Sequence, residues 1–592
     1  MAFVLTTGST SIVTTGLSGS GGVSLATDRS LTLTQSGTST YAGIISGTNA
    51  NFDKLGAGTL TLSGASTYIG ATSINAGALT LTGTLSDNTA VSVGSGATWN
   101  VNATNTVASI ADAGTISTSN AGVKTLTTVG DASTIFSGVI QNGSSGGSLA
   151  LTKSGIGTLT LDGANTFTGG LTISNGILQI GSGGTSGSIA NQTITNNAAL
   201  VFNRSDNITL INSITGSGSV EKAGSGTLTL TGNNTYSGTT TISTGTLQIG
   251  AGGTSGTLGS GSVVTNATLS FNRSDSLTVG NIISGTGGIS HIGAGRLDLM
   301  GDNTYAGGTR LNNGASTHIL GLGHKNALGT GAIKLDVTGR VEALVDLSGA
   351  DGILNDVIFL GTQSFFTVVG SHSLDIGGDI TVGGTRTANA ITNSITGGGV
   401  LTLSGTITNT TRSKTLDIFG NASTIISGII QDGIGHDGSV ITLTLSKSNA
   451  GTLTLSGANT YTGNTAVLGG TLVVGGATVG NPGLITSSPL GTGVVTVNSG
   501  SALDLAGYEV ANALTLSGMG FSNSGAVYNS SSNAAGSAGA ITLAGSTTIK
   551  NNGALILDAN VSGAHALTVV NTGKVTFGGS IGSSSTKLSS RT

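Results

Sequence analysis

One motif, written five times, limits what this chain can fold into more than any other feature. The first copy runs Lys54-Leu55-Gly56-Ala57-Gly58-Thr59-Leu60-Thr61-Leu62-Ser63-Gly64 and closes on Thr67-Tyr68. The second runs from Lys153 through Thr158-Leu159-Thr160-Leu161 to Asn165-Thr166-Phe167, and the third from Lys222 through Thr227-Leu228-Thr229-Leu230 to Asn234-Thr235-Tyr236. In the fourth, His291 replaces Lys, and Arg296-Leu297-Asp298-Leu299 leads to Asn303-Thr304-Tyr305. The fifth runs from Lys447 through Thr452-Leu453-Thr454-Leu455 to Asn459-Thr460-Tyr461. Fixed-period self-similarity is the mark of a stacked repeat architecture.

Spacing and alternation say which one. Phe167, Tyr236 and Tyr305 are evenly spaced, and Phe202-Asn203-Arg204-Ser205-Asp206 returns at the same interval, beginning at Phe271. Inside a motif, Thr-Leu returns after a much shorter step, as from Leu60 to Leu79 and from Leu159 to Leu178. The long period then reads as three coils of about 23. Thr-Leu-Thr-Leu alternates with period two, the strand signature, and Gly or Asn-Gly punctuates every few residues. One coil of such strands cannot bury its apolar side, whereas stacked coils turn Leu, Ile and Val into one continuous core. The expected fold is all-β: a single right-handed parallel β-helix of about 25 coils, each rising about 4.8 Å. It is expected to run over 1–592, with N-terminal coils over 1–53, a repeat-rich region over 54–315, atypical coils over 316–400, a repeat region over 401–475 and C-terminal coils over 476–592.

Composition removes competing classes. Only 7% of residues are charged, and the net charge of −4 gives no basic field for nucleic acid. Cysteine is absent, so thiol catalysis and Cys-based zinc sites are excluded. No apolar run approaches the length of a membrane helix, and no membrane insertion is expected. The first basic residue is Arg29, so no secretory leader is legible at Met1.

The pattern K-x-G-x-G-T-L-T-L-S-G-x-N-T-Y-x-G resembles the passenger-associated transport repeat of Gram-negative autotransporters. Leu328-Gly329-Thr330-Gly331 and Leu490-Gly491-Thr492-Gly493 resemble the element that follows that repeat, and Leu401-Thr402-Leu403-Ser404-Gly405 the one that precedes it. The resemblance implies an exported β-helix at the outer surface of a Gram-negative bacterium. That family ends in a translocator barrel, and no segment here resembles one.

Candidate sites all have plain structural readings. Gly143-Ser144-Ser145-Gly146-Gly147 fits G-x-S-x-G but lacks the strand-to-helix setting of a nucleophile elbow, so it reads as a turn. The densest acidic stretch holds Glu342, Asp346, Asp351, Asp356, Asp375 and Asp379, and the loop Asp432–Gly438 holds two further Asp; both read as structural. The row Asn165, Asn234, Asn303 and Asn459 reads as turn amides joining neighbouring coils. Tyr68, Phe167, Tyr236, Tyr305 and Tyr461 read as a packed shelf at coil corners. Arg204/Asp206 and Arg273/Asp275 read as exposed ion pairs of little energetic weight. No catalytic residue, cofactor or metal ligand is expected, and the chain does not read as an enzyme.

Two functions fit. The first is a structural subunit that self-assembles head-to-tail or laterally into a filament or surface layer, with residues 1–40 meeting 550–592 of a neighbour and Leu567 and Val569 on the terminal edge. The second is an adhesin that binds a host or neighbouring cell surface, for which 316–390 is the candidate region.

Overall fold

The computed structural model describes residues 3–5, 11–190, 192–312, 318–361, 365–551, 553–571, 573–582 and 588–591. Parts of the expected regions, notably 316–317 and 362–364 of the atypical coils and 583–587 and 592 of the C-terminal coils, lie outside them. The fold is a right-handed parallel β-solenoid of about 26 turns. Among the described residues the only helical segments are two single 3₁₀ turns, Gly349–Asp351 and Phe521–Asn523. The chain divides into two units, Met1–Ser270 and Phe271–Thr592.

In the first unit, short strands stack in register on three faces, each pairing with the strand one turn later. Leu60 lies on Leu79, then Trp99, Ile116 and Ile140. All five side chains are buried, while Thr59 and Thr61 stay half-exposed. This is the period-two alternation made physical: β-branched Thr suits the solvated face of a pleat, and Leu fills the core. Each such core side chain contributes about 1.5–3 kcal/mol by leaving water. Leu159, Leu228 and Leu453 are buried in the same way.

The long repeat period is not three coils. Leu151 stacks on Leu171, then Ile194, then Ile214, so three turns end short of a full period. Three turns on from Thr158–Leu161 lies Ser219–Lys222, the lysine strand of the next motif copy, and not its Thr-Leu-Thr-Leu strand. That strand, Thr227–Leu230, pairs instead with Ile208–Leu210 in another ladder. One period is therefore three turns plus one face. Phe167 and Tyr236 therefore lie at successive corners and do not stack in one column. The physical reason is turn length. The turn from Leu159 to Leu178 is shorter than the turn from Leu171 to Ile194, and three turns of such mixed length do not fill the period.

The second unit is also parallel, with longer turns where the chain makes excursions. Leu472 stacks on Leu503, well beyond the usual turn length. Between them Val479 meets Ser487 in an antiparallel bridge. A second excursion pairs Gly433–Ile434 antiparallel with Val440–Ile441. The strand Leu567–Asn571 is laddered on both sides, to Ile541–Asn551 and to Leu588–Arg591. Leu567 and Val569 are thus interior to the sheet and do not form the terminal edge expected from the sequence.

Candidate binding flank

The residues that define the repeat face inward. Tyr68, Phe167, Tyr236, Tyr305 and Tyr461 are fully buried. Each tyrosine shares a hydrogen bond with the threonine four positions on: Tyr68 with Thr72 at 2.6 Å, Tyr236 with Thr240 at 2.7 Å, Tyr305 with Thr309 at 2.5 Å and Tyr461 with Thr465 at 2.6 Å. Burial pushes these phenols above their ordinary range. The asparagines join one turn to the next. Asn165 Oδ1 accepts from Ile140 N at 2.9 Å, and its Nδ2 donates to Ser188 O at 3.0 Å. Asn234 does the same with Ile214 and Thr257, Asn303 with Ile283 and Ala327, and Asn459 with Ile430 and Pro489. These side chains have no free polar atom facing solvent with which to grip a ligand.

The lysine that opens the motif has a role the sequence reading did not assign. Lys54, Lys153, Lys222 and Lys447 are buried. Lys447 Nζ donates to the carbonyls of Ser448, Asn449 and Gly469 at 2.8, 2.9 and 3.0 Å. Lys54 donates to Gly56 O and, one turn later, to Ala76 O. His291, the substituent in the fourth copy, pairs Nε2 with Gly295 O at 3.1 Å. The ammonium thus ties two corners together, and burial lowers the lysines' pKa values, that of Lys447 to about 8. The legible signal was parity. In Asn51-Phe52-Asp53-Lys54, lysine shares the inward positions with phenylalanine.

Arg204 also departs from expectation. It is only 9% exposed, and it donates to Asp206 and to the carbonyls of Gly187 and Thr185. A guanidinium has five donors in a fixed fork, and here it spends two on backbone carbonyls, so the residue closes a corner as the motif lysine does.

Surface chemistry concentrates in the second unit. Among the described residues, five of the seven close acid–base pairs lie between Arg296 and Asp351. Arg296 binds Asp298, on the strand that follows it, at 2.7 Å and Glu342 two turns away at 2.5 Å. The strand between them carries Gly321, in register with Asp298 and Glu342. A Cβ there would overlap Asp298 Oδ1 and stand 3.0 Å from Arg296 Nη2, so the bridge crosses only because residue 321 is glycine. Gly321→Ala is expected to break the bridge at a cost of about 1 kcal/mol or less, since partly exposed pairs are worth little; urea melts of the two forms measure it. Arg310 pairs with Asp336 and Lys325 with Asp351.

Most of the other candidate acids bond locally: Asp356 accepts from Asp379 N at 2.8 Å, whereas Asp346 is exposed. Asp375 accepts from Gly349 N at 2.6 Å and Asp379 from Thr406 N at 2.8 Å. Asp432 accepts from Leu443 N and from Thr462, and Asp437 from Ser439. No group of three His, Cys, Asp or Glu able to hold a metal ion occurs among the described residues. Gly143 N donates to Gly147 O at 2.9 Å, which makes the G-x-S-x-G match a turn leading into the strand Gly147–Lys153.

The Passenger-associated-transport-repeat model matches at residues 52–86, 151–180, 220–249, 292–315 and 445–474. The parallel β-solenoid thus carries five copies of the passenger-associated transport repeat. It is 33% identical over 513 residues to the "Adhesin BmaC autotransporter" of Brucella suis biovar 1 (strain 1330), covering 84% of this chain and 13% of that protein. It is 27% identical over 412 residues to "Outer membrane protein A" of Rickettsia rickettsii, covering 61% of this chain and 18% of that protein. The chain therefore spans less than a fifth of the length of either relative. No solved structure matches it. The passenger repeats lie in both units, whereas the ion-paired flank belongs to the second unit.

Proposed function

We propose that this passenger β-solenoid is an adhesin segment, displayed at the outer surface of a Gram-negative bacterium and used to attach to a host or neighbouring cell. The observation that carries the reading is the clustering of charge. In a chain with 7% charged residues, most of the ion pairs among the described residues lie on the turns from Arg296 to Asp351. Partly exposed pairs add little to stability, so folding alone does not call for them there. A flank that must be read by a partner does, because charge patterns fix register and reject wrong partners. The relative named as an adhesin supports the same reading.

Microspheres coated with the purified chain test it. They are expected to attach to cultured animal cells or to other bacteria well above spheres coated with an unrelated β-solenoid. The double variant Arg310→Ala, Lys325→Ala should lose most of that attachment while its thermal melt is unchanged. Wild-type spheres no stickier than the control would end the adhesin reading.

Self-assembly is the second reading, and one observation favours it. Ile434 and Val440, 65% and 63% exposed, sit opposite each other on the 433–441 hairpin, on a chain whose net charge of −4 offers little repulsion between copies. Ordered fibres or sheets in electron micrographs of the concentrated chain would select it.

A further inference from the structure

We infer that the second unit carries a saccharide-binding groove floored by Phe419, and this deepens the adhesin reading by naming a ligand class. The strands Ala388–Asn393 and Lys414–Gly420 lie in register, with Thr392 opposite Phe419. On the latter strand Leu416 and Ile418 are buried, so Phe419 takes the outward parity and stays half-buried. Its predecessors in the same outward column are Thr367 and Thr392. The tyrosines of the repeat lie in the core; this ring does not. An aromatic placed where the ladder otherwise sets threonine adds nothing to the core and leaves a flat apolar face near solvent.

A groove of about 490 Å³ opens over this ring. Thr392, Ser394, Thr396, Asn421 and Asn449 line it with Phe419. Ser394, Thr396, Asn421 and Asn449 are exposed. Asn421 Oδ1 accepts from Ala450 N at 3.3 Å, which leaves its Nδ2 donors available. Asn449 holds a left-handed backbone, φ 64°, a conformation that asparagine tolerates better than most residues. The buried Lys447 fixes this corner from behind by binding the carbonyls of Ser448 and Asn449.

The lining selects the ligand by what it offers. No Asp, Glu, Lys, Arg or His is among the residues that line the groove, so nothing there compensates a charged headgroup or a phosphate. One ring is too little apolar surface to anchor a peptide or an acyl chain. Hydroxyl and amide groups supply both donors and acceptors, which is the need of a polyol, and a ring stacks against the C–H face of a pyranose. The occupant that fits is a neutral saccharide.

A glycan array probed with the full purified chain tests this. The array carries neutral glucan, galactan, mannan and N-acetylglucosamine oligomers of host and bacterial types, with sialylated and sulfated oligomers as charged arms. Binding to a neutral oligomer is expected, little changed by salt. It should fall about tenfold or more in Phe419→Ala, a loss of at least about 1.4 kcal/mol. It should persist in Phe419→Trp, which keeps the stacking face and controls for folding. Retention by the charged arms only, no retention at all, or equal binding by Phe419→Ala would each overturn the groove. Cell attachment by the coated microspheres is read separately. Attachment without glycan binding sinks this site and leaves the adhesin reading standing, whereas glycan binding without attachment does the reverse.

Discussion

Raising the pH from 8 is expected to make the folded chain harder to unfold, up to a maximum near pH 10, beyond which the trend reverses. Two sets of buried groups set the two limbs. Burial lowers the pKa of Lys447 to about 8, against 10.5 in an unfolded chain, and shifts Lys54, Lys153, Lys222 and Lys414 the same way. Below pH 8 both states hold the Lys447 proton, and its burial is a constant cost. Between 8 and 10.5 the unfolded chain still holds that proton while the native chain has released it. The unfolded state then binds more protons, so stability rises with pH. The tyrosines act in the opposite sense. Desolvation raises the phenols of Tyr68, Tyr236, Tyr305 and Tyr461 above 10.0. Above pH 10 unfolded phenols ionise while native ones stay neutral, the native state binds more protons, and stability is lost. Urea midpoints taken at half-unit steps from pH 7 to 11 measure the profile. Lys447→Met should flatten part of the rising limb, and Tyr461→Phe, which keeps the ring, part of the falling one. A midpoint that falls steadily from pH 8, or a rise that Lys447→Met leaves untouched, contradicts this account.

Those two groups also show how far the sequence could be read. The strands and the core were legible because alternation and repeat act together: Thr-Leu-Thr-Leu leaves one choice of face, and a parallel stack leaves one kind of neighbour. The period was less legible. Leu159 to Leu178 is one short turn, but Leu171 to Ile194 is a longer one, because corners lengthen and shorten without altering the strand pattern. The long repeat is divisible into three turns on paper, and only the register reveals the extra face. Lys54 and its equivalents were visible as letters, yet a lysine at an inward position looks like an error until the carbonyls around it are known. Phe419 was hidden for another reason. A single outward ring belongs to no repeat, and the groove is made by Thr392, Asn421 and Asn449 from three successive turns, which nothing in the linear order brings together.

Replacing Gly226 by alanine is expected to destabilise the first unit by about 1–3 kcal/mol, the usual cost of forcing an extra carbon into packed structure. Gly226 closes the Gly-Ser-Gly corner of the third motif copy, where the chain passes directly over the turn before it. A Cβ at this position would stand well under 3.0 Å from both Asp206 O and Asp206 C, closer than real Cβ atoms come to any neighbour. Both atoms are backbone, so no rotamer change relieves the clash, and the two turns must separate. Separation strains the bond from Gly226 N to Arg204 O, 3.1 Å long, and draws on the corner that Arg204 closes. Gly226 does not hold a left-handed backbone, so the penalty is steric and not conformational. Gly184 is the control in the same unit: nothing lies within 4 Å of its Cβ position and its backbone is also compatible with alanine. Gly184→Ala should stay within about 0.5 kcal/mol of the parent. In a solenoid each turn touches only its neighbours, so the damage should be local. Limited proteolysis is expected to cut Gly226→Ala near residues 204–226 well before the parent, with the distant turns still protected. If both variants melt with the parent and resist protease equally, the turns are not held at the contact distance that this corner requires.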